Sequence, residues 1–243
     1  MKAFILAAGL GTRLEELSKE IPKALVKING EELLGVLINH LKGNGYKEFL
    51  INVHHHAQMV INYLNKNNNF GVHIHISDER DELLDTGGAV LKASDYFTGK
   101  APVLIHNVDI ISEVDYAELL NYHLKNQSLA SLCVRKRNSD RALLFNDNME
   151  LKGWMNKKIN KYKWVGSPLS NYSSFAFSGI YLVNPEFINK IKLTGKFSII
   201  DAWLSIAGSI KIKAYVDSSE NWFDLGTMEK IKLAESFLKN QII

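Results

Sequence analysis

The chain has 243 residues, 46% of them hydrophobic and 23% charged, with a formal net charge of +3. That profile describes a globular chain long enough for one large domain, and its charge is too small to argue for a nucleic-acid partner. No apolar stretch approaches the roughly 20 residues of a membrane span. The single cysteine, Cys133, excludes an internal disulfide, so a reducing cytoplasm is the expected location. Within "LASLCV" that cysteine reads as a small buried hydrophobe.

In chain order, residues 2–8 read as a buried strand that breaks into Gly9-Leu10-Gly11-Thr12-Arg13. Its apolar run is too short, and too soon interrupted by glycine, for a signal peptide. A helix is expected over 31–44, ending near Gly43-Asn44-Gly45, then a strand over 48–53, a helix over 57–67 and a strand over 72–77. A helix over 87–96, a strand over 101–106 and a helix over 115–126 continue the alternation. Short apolar strands separated by helical periods predict βαβ units and a mainly parallel central sheet.

The second half changes character. Residues 128–134, 142–146 and 174–183 read as strands without intervening helices, which predicts a small antiparallel extension. The polar stretch 156–173 shows neither period and reads as a long loop, with Tyr162, Lys163 and Trp164 as a lid or subunit contact. A strand over 210–216, "WFDLG" at 222–226 and a helix from Thr227 to Lys239 end the chain. Neither a repeat nor a linker is evident, so residues 1–243 are read as a single domain.

Several stretches carry chemistry. Ligands in open parallel sheets bind beyond the carboxyl ends of strands, where Gly9 and Gly11 stand. Glycine lets backbone amides approach an anion, and Arg13 adds a forked donor for phosphate oxygens. The spacing is neither G-x-G-x-x-G, because Leu14 replaces the third glycine, nor a P-loop. A dinucleotide-binding domain would also need an acid about 20 residues further on a second strand, and none is convincing. Taken alone, the glycine pair reads equally well as a turn.

"IPKAL" places Lys23 after a stiffening proline, and "LLDTGGAVLKA" opens a helix at Thr86-Gly87-Gly88, as a cap or as amides presented to a ligand. Asp109 ends the strand "LIHNVDI", and Asp224 lies just before the last helix. Two acids from distant strand ends suit Mg²⁺, which takes one or two carboxylates plus waters and phosphates. The competing readings are a turn residue for Asp109 and a helix cap for Asp224. The run His54-His55-His56 does not suggest a metal, because consecutive residues of an extended chain face alternate sides.

Together the ordered set G-x-G-T-R, P-K, T-G-G, N-x-D, F-S-G-I and D-x-G-T resembles the sugar-phosphate nucleotidyltransferase (nucleoside-diphosphate-sugar pyrophosphorylase) family. The resemblance implies an α/β, Rossmann-like nucleotidyltransferase fold and Mg²⁺-dependent transfer from an NTP to a sugar 1-phosphate. By it, Ala7, Ala8, Gly9, Gly11, Thr12, Arg13, Lys23, Asp85, Thr86 and Gly87 would enclose the nucleotide. Asn107, Ser178, Gly179 and Asp201 would contact the sugar. Asp109 and Asp224 would hold the metal, and Arg13 and Lys23 would offset phosphate charge. Val108 stands where the family has glycine, and Asp85 where it has glutamate.

The short enzymes that uridylylate N-acetylmuramic acid 1-phosphate carry a very similar E-T-G-G segment, so UTP and that acceptor, or a related hexose 1-phosphate, are the expected substrates. A mannose 1-phosphate guanylyltransferase and a phosphocholine cytidylyltransferase are the alternatives within the chemistry. A catalytically silent nucleotide-sugar sensor is the alternative outside it. The expected partners are the small-molecule substrates, with no nucleic acid and no membrane, and the chain is compatible with a homo-oligomer.

Overall fold

A computed structural model of the chain describes residues 1–9 and 20–240. In chain order it contains β1 (Lys2–Leu6), β2 (Lys27–Ile28), β3 (Glu31–Glu32), α1 (Leu33–Gly43), β4 (Glu48–Val53), α2 (Ala57–Lys66) and β5 (His73–Asp78). There follow α3 (Asp85–Lys92), β6 (Val103–Asn107), β7 (Ile110–Ser112), α4 (Tyr116–Asn126), β8 (Ala130–Arg135) and β9 (Arg141–Phe145). The chain continues through β10 (Leu151–Asn156), β11 (Lys161–Trp164), β12 (Ser173–Val183), α5 (Ile199–Ile206), β13 (Ile212–Val216), β14 (Trp222–Asp224) and α6 (Met228–Asn240). It is a mixed α/β, Rossmann-like fold with parallel strands at its start and antiparallel ones added later. Among the described residues no helix is long and apolar enough to cross a membrane.

Two compact units divide the chain. One comprises residues 1–83, 106–113 and 219–243, the other 84–105 and 114–218. In the first, β1 pairs in parallel with β4, from Lys2 opposite Glu48 to Leu6 opposite Asn52, and β4 pairs in parallel with β5. Strands covered on both faces read as continuous apolar runs, and Ala3, Phe4, Ile5, Phe49 and Ile51 have no exposed surface. Helix α1 buries Leu33, Leu34, Leu37, Ile38 and Leu41, the spacing of one helical face. It stops at Gly45, whose φ of +84° lets the amides of Gly45 and Tyr46 reach the carbonyls of Lys42 and Leu41.

The end of the chain returns to this unit. β14 pairs antiparallel with β7, and Leu225, Ile231 and Ala234 pack on Val26, Ile28 and Leu33. Asn29 fixes the contact by donating from its side-chain amide to the Glu235 carbonyl at 2.9 Å.

In the second unit β8 is flanked by parallel β13 and antiparallel β12, and β12, β9, β10 and β11 follow as antiparallel neighbours. The 156–173 stretch, expected to be a loop, therefore contributes the strand β11, an edge strand whose polar side chains gave no alternation to read. Lys163 on β11 ion-pairs with Asp201 on α5. Phe177 and Tyr181 each meet Trp203 edge to face and are tilted to one another, with ring centroids 5.0–5.9 Å apart. Arg135 and Asp217, at the ends of β8 and β13, form a largely buried ion pair.

The start of α3 lies tightly against the segment before α5. The Gly87 and Gly88 amides donate to the Phe197 carbonyl at 2.9 and 3.2 Å, and the Ile199 amide donates to Thr86 Oγ1 at 3.0 Å. A Cβ on Gly88 would stand 2.5 Å from the Gly195 carbonyl oxygen, and one on Gly87 would stand 2.5 Å from the Phe197 ring. These glycines permit a close approach of backbone to backbone. Gly88→Ala is expected to lower stability by about 1–3 kcal/mol, measured by chemical denaturation. Gly43→Ala, where an added Cβ meets nothing within 4 Å, is the control and should cost nothing.

His106 supplies a pH prediction. It is buried, and burial pushes its pKa down to about 4, against a partial offset from the Asn107 carbonyl it bonds. Above pH ~6.5 the ring is neutral folded and unfolded, so it adds no pH dependence. Below that the unfolded chain takes up a proton that the folded one refuses, and stability falls until about pH 4. Between pH 7 and pH 5 the expected loss from this residue is about 2 kcal/mol. His106→Gln should remove that portion of the slope in denaturation curves at the two pH values.

Candidate active site

The first unit gathers its polar groups where parallel strands end. After β1 the chain passes through Ala7 and Ala8, both buried, to exposed Gly9. The Ala7 and Ala8 amides donate to Asn52 Oδ1 at 2.7 and 3.3 Å. A Cβ on Gly9 would meet nothing within 4 Å, so packing does not demand glycine there. Gly11, Thr12 and Arg13 lie outside the described residues.

Lys23 opens a short 3₁₀ turn at Lys23–Leu25 behind Pro22, whose φ of −65° sets the entry. The lysine is 7% exposed, and its ammonium ion-pairs with Asp109 Oδ2. A lysine so far out of water needs a charged partner. Asp109 follows β6 in a turn, and the preceding Val108 amide donates to the Leu6 carbonyl at 3.1 Å, so the chain leaving β6 runs beside the end of β1. Val108 is itself buried. Asn107 is half-buried, and its carbonyl accepts from His106 Nδ1 at 2.8 Å.

Asp224 arrives from the other end of the chain. In the β7–β14 ribbon it stands opposite Ile110, and the next residue, Leu225, donates its amide to the Asp109 carbonyl at 2.9 Å. The two acids are thus neighbours across one ribbon. Asp224 does not cap the last helix: Thr227 takes that place, its carbonyl accepting from the Ile231 amide and its hydroxyl from Lys230 at 3.4 Å. Lys230 Nζ lies 3.5 Å from Asp224 Oδ2. Lys23, Asp109 and Asp224 are the predicted residues this unit brings together.

In the second unit the predicted residues have visible structural roles. Asp85 adopts a φ of +57°, and its carboxylate accepts from the Thr86 amide at 2.6 Å. Thr86 and Gly87 hold the 197–199 segment. Ser178 is fully buried beside Cys133, whose thiol burial pushes up to about 12, so that cysteine is an inert core group. Gly179, at φ +81°, lies where the β12–β8 register shifts. Asp201 accepts from the Ser198 hydroxyl at 2.9 Å and from Lys163, and these partners hold its carboxyl below the usual range against the effect of burial.

Two residues absent from the sequence reading matter here. Asn52 is 3% exposed and donates its side-chain amide to Glu79 Oε1 at 2.8 Å, and Glu79 has no exposed surface. The only signal would have been one amide-bearing residue within the apolar run of β4. The histidine run gives His54, whose Nδ1 donates to the Glu79 carbonyl at 2.6 Å, and His56, which enters α2 at φ +55°. Among the described residues no three His, Cys, Asp or Glu side chains cluster as a metal site.

Comparison with known proteins bears on this arrangement. The chain is 29% identical over 229 residues to a probable mannose-1-phosphate guanylyltransferase of Oryza sativa subsp. japonica, covering 93% of this chain and 61% of that protein. It therefore spans less than two thirds of the relatives it first matches. It is 27% identical over 241 residues to the N-acetylmuramate alpha-1-phosphate uridylyltransferase of Caulobacter vibrioides, covering 97% of this chain and 96% of that one. A crystal structure of HddC from Yersinia pseudotuberculosis, complexed with GMP-PN, has the same fold, with a TM-score of 0.79, 24% identity, and 98% and 99% of the two chains covered. The sequence profile described as nucleotidyl transferase runs through both units, over residues 2–241, and the chain belongs to that family.

Proposed function

We propose that the protein transfers a nucleotidyl group from an NTP to a sugar 1-phosphate and releases pyrophosphate. The observation that carries this reading is the ribbon that seats Asp224 beside Asp109, with the Lys23 ammonium on the Asp109 carboxylate. Family membership and relatives named as sugar-phosphate guanylyl- and uridylyltransferases support it.

The chemistry asks little of protein bases. An oxygen of the acceptor phosphate, already anionic at neutral pH, attacks the α-phosphorus. The bond from that phosphorus to the bridging oxygen breaks, and pyrophosphate leaves with the electron pair. Catalysis then rests on in-line positioning and charge neutralisation. Lys23, held out of water behind Pro22, is a fixed cation for the nucleotide phosphates, and Arg13 joins it by resemblance. The backbone from Ala7 to Thr12 follows the nucleotide, again by resemblance.

Asp109, in the turn before β7, and Asp224, at the end of β14, are of the residue type that suits Mg²⁺: two carboxylates would leave the remaining positions to waters and phosphate oxygens. When bound there, the ion would neutralise charge on the α-phosphate and the acceptor phosphate. Lys23 shares Asp109 with such an ion, which links the phosphate-holding lysine to the metal carboxylate.

For substrates, UTP with N-acetylmuramate 1-phosphate or a related hexose 1-phosphate is the proposed pair, on the T-G-G segment and the Caulobacter relative. The rice relative supports GTP with a mannose-type 1-phosphate as the second reading. A pyrophosphate-release screen of UTP, GTP, CTP and TTP against N-acetylmuramate 1-phosphate, mannose 1-phosphate and phosphocholine decides between them. Turnover is expected with UTP and N-acetylmuramate 1-phosphate, and no turnover with any pair would favour a silent nucleotide-sugar binder.

Asp109→Asn and Asp224→Asn are each expected to abolish Mg²⁺-dependent release while the thermal unfolding transition stays cooperative. Normal turnover in either variant would sink the two-aspartate site. Lys23→Met is expected to lower kcat/KM for the NTP on the order of 100-fold, measured in steady-state kinetics.

A further inference from the structure

The segment leaving β1 is held by one side chain. Asn52 lies on β4 opposite Leu6, and its Oδ1 accepts both the Ala7 amide, at 2.7 Å, and the Ala8 amide, at 3.3 Å. On the other side its Nδ2 donates to Glu79 Oε1 at 2.8 Å. That pattern fixes which way round the amide sits: two N–H donors demand oxygen on one side, and a carboxylate oxygen demands the NH₂ group on the other. Ala7, Ala8, Asn52 and Glu79 are all buried, so each bond forms where its loss would leave a polar group without water.

Glu79 is itself anchored. Its amide donates to the Val53 carbonyl at 2.7 Å, and its carbonyl accepts from His54 Nδ1 at 2.6 Å. The carboxylate behind Asn52 therefore comes from backbone tied to Val53, the last residue of β4, and to His54, which follows it. Neighbouring pairs along β1 and β4 use ordinary ladder bonds and apolar side chains, and a bare apolar residue at position 52 would leave nothing to hold the two amides.

We infer that Asn52, locked by Glu79, is a positioning residue that sets the course of the Ala7–Ala8 backbone into the glycine-rich nucleotide loop. This rests on the proposed reading of that loop as the NTP site. Among the described residues the Asn52 side chain meets the loop's entry through Oδ1, so its effect is expected on nucleotide binding and not on the acceptor.

The test exploits the polarity of the pair. Asn52→Ala removes the acceptor. Asn52→Asp keeps it but sets a second carboxylate against Glu79. The double variant N52D/E79Q restores complementary polarity, with aspartate oxygens facing the two amides and a glutamine NH₂ facing the aspartate. Asn52→Ala and Asn52→Asp are each expected to raise KM for the NTP roughly tenfold or more, with KM for the sugar phosphate changed less than about twofold. Amide exchange in peptides spanning residues 3–9 should quicken in both. N52D/E79Q should return NTP KM and exchange toward wild type. An unchanged NTP KM in folded Asn52→Ala overturns the inference, as does a double variant no better than Asn52→Asp. If wild-type protein turns over no NTP at all, the transferase reading fails instead. Exchange at residues 7 and 8 then still decides whether Asn52 clamps that backbone, and unchanged exchange in Asn52→Ala overturns the inference.

Discussion

The antiparallel ribbon between β7 and β14 is the constraint on which the candidate site depends. It joins two stretches far apart in sequence, and its ladder extends from the Leu225 amide on the Asp109 carbonyl to the Glu113 amide on the Asn221 carbonyl. Without it Asp224 would have no defined relation to Asp109. The ribbon is short, and a two-stranded ribbon is marginal by itself. Its support is the apolar cluster in which Leu225, Ile231 and Ala234 cover Val26, Ile28 and Leu33. The same cluster sits just beyond the Lys23–Leu25 turn. One packing event therefore sets lysine and both acids, and a loss of packing near α6 would reach the chemistry without touching it.

The Lys23–Asp109 pair is a weak source of net stability. The lysine side chain is 8% exposed and the aspartate 18%. Taking both charges out of water costs about as much as their attraction returns, whereas removing one partner costs about 3–5 kcal/mol. This asymmetry explains why asparagine is the informative substitution at Asp109. Its carbonyl still accepts from the ammonium, so charge is lost while a hydrogen bond remains. Alanine would strand the lysine and confound folding with catalysis. A pair so placed keeps a cation ready beside the carboxylate that the proposed metal would also use.

Legibility in the sequence followed burial. The β4 strand was readable to the residue, because Phe49, Leu50 and Ile51 lie in a run covered on both faces. The β10–β11 pair was not. Leu151, Gly153 and Met155 do alternate inward, but glycine and tryptophan obscure the period, and "KYKW" is exposed or half-buried throughout. Helix α5 is not legible because "SIIDAWLSI" is apolar on nearly all sides, and the Ser198 side chain that caps it, accepting from the Asp201 amide, carries no periodic signal. The T-G-G segment was placed correctly at a helix start, but the partner that explains its glycines lies at Gly195 and Phe197, more than a hundred residues away. Asp109 and Asp224 were legible as isolated acids at strand ends. Asn52 was not, since a single polar residue in a buried strand announces neither its partners nor its direction.

A common geometry underlies the groups of the first unit. Ala7 follows the end of β1, Asn52 is the penultimate residue of β4, Glu79 follows β5, and Asp109 lies just past β6. In a parallel sheet strands end on the same edge, so Ala7, Asn52 and Glu79, from the ends of β1, β4 and β5, meet without being near one another in sequence. That edge also gathers the strand-end carbonyls that no longer find a ladder partner. Side chains can take over their bonding, as half-buried His54 does for the Glu79 carbonyl, while buried Asn52 does the corresponding service for two amides. The edge must therefore be polar for structural reasons before any ligand is considered. To take the phosphates of the proposed substrates, such an edge needs only a cation and a carboxylate pair added to groups that already hold backbone in place. Lys23 and the β7–β14 ribbon supply those additions, and neither is part of the parallel sheet itself.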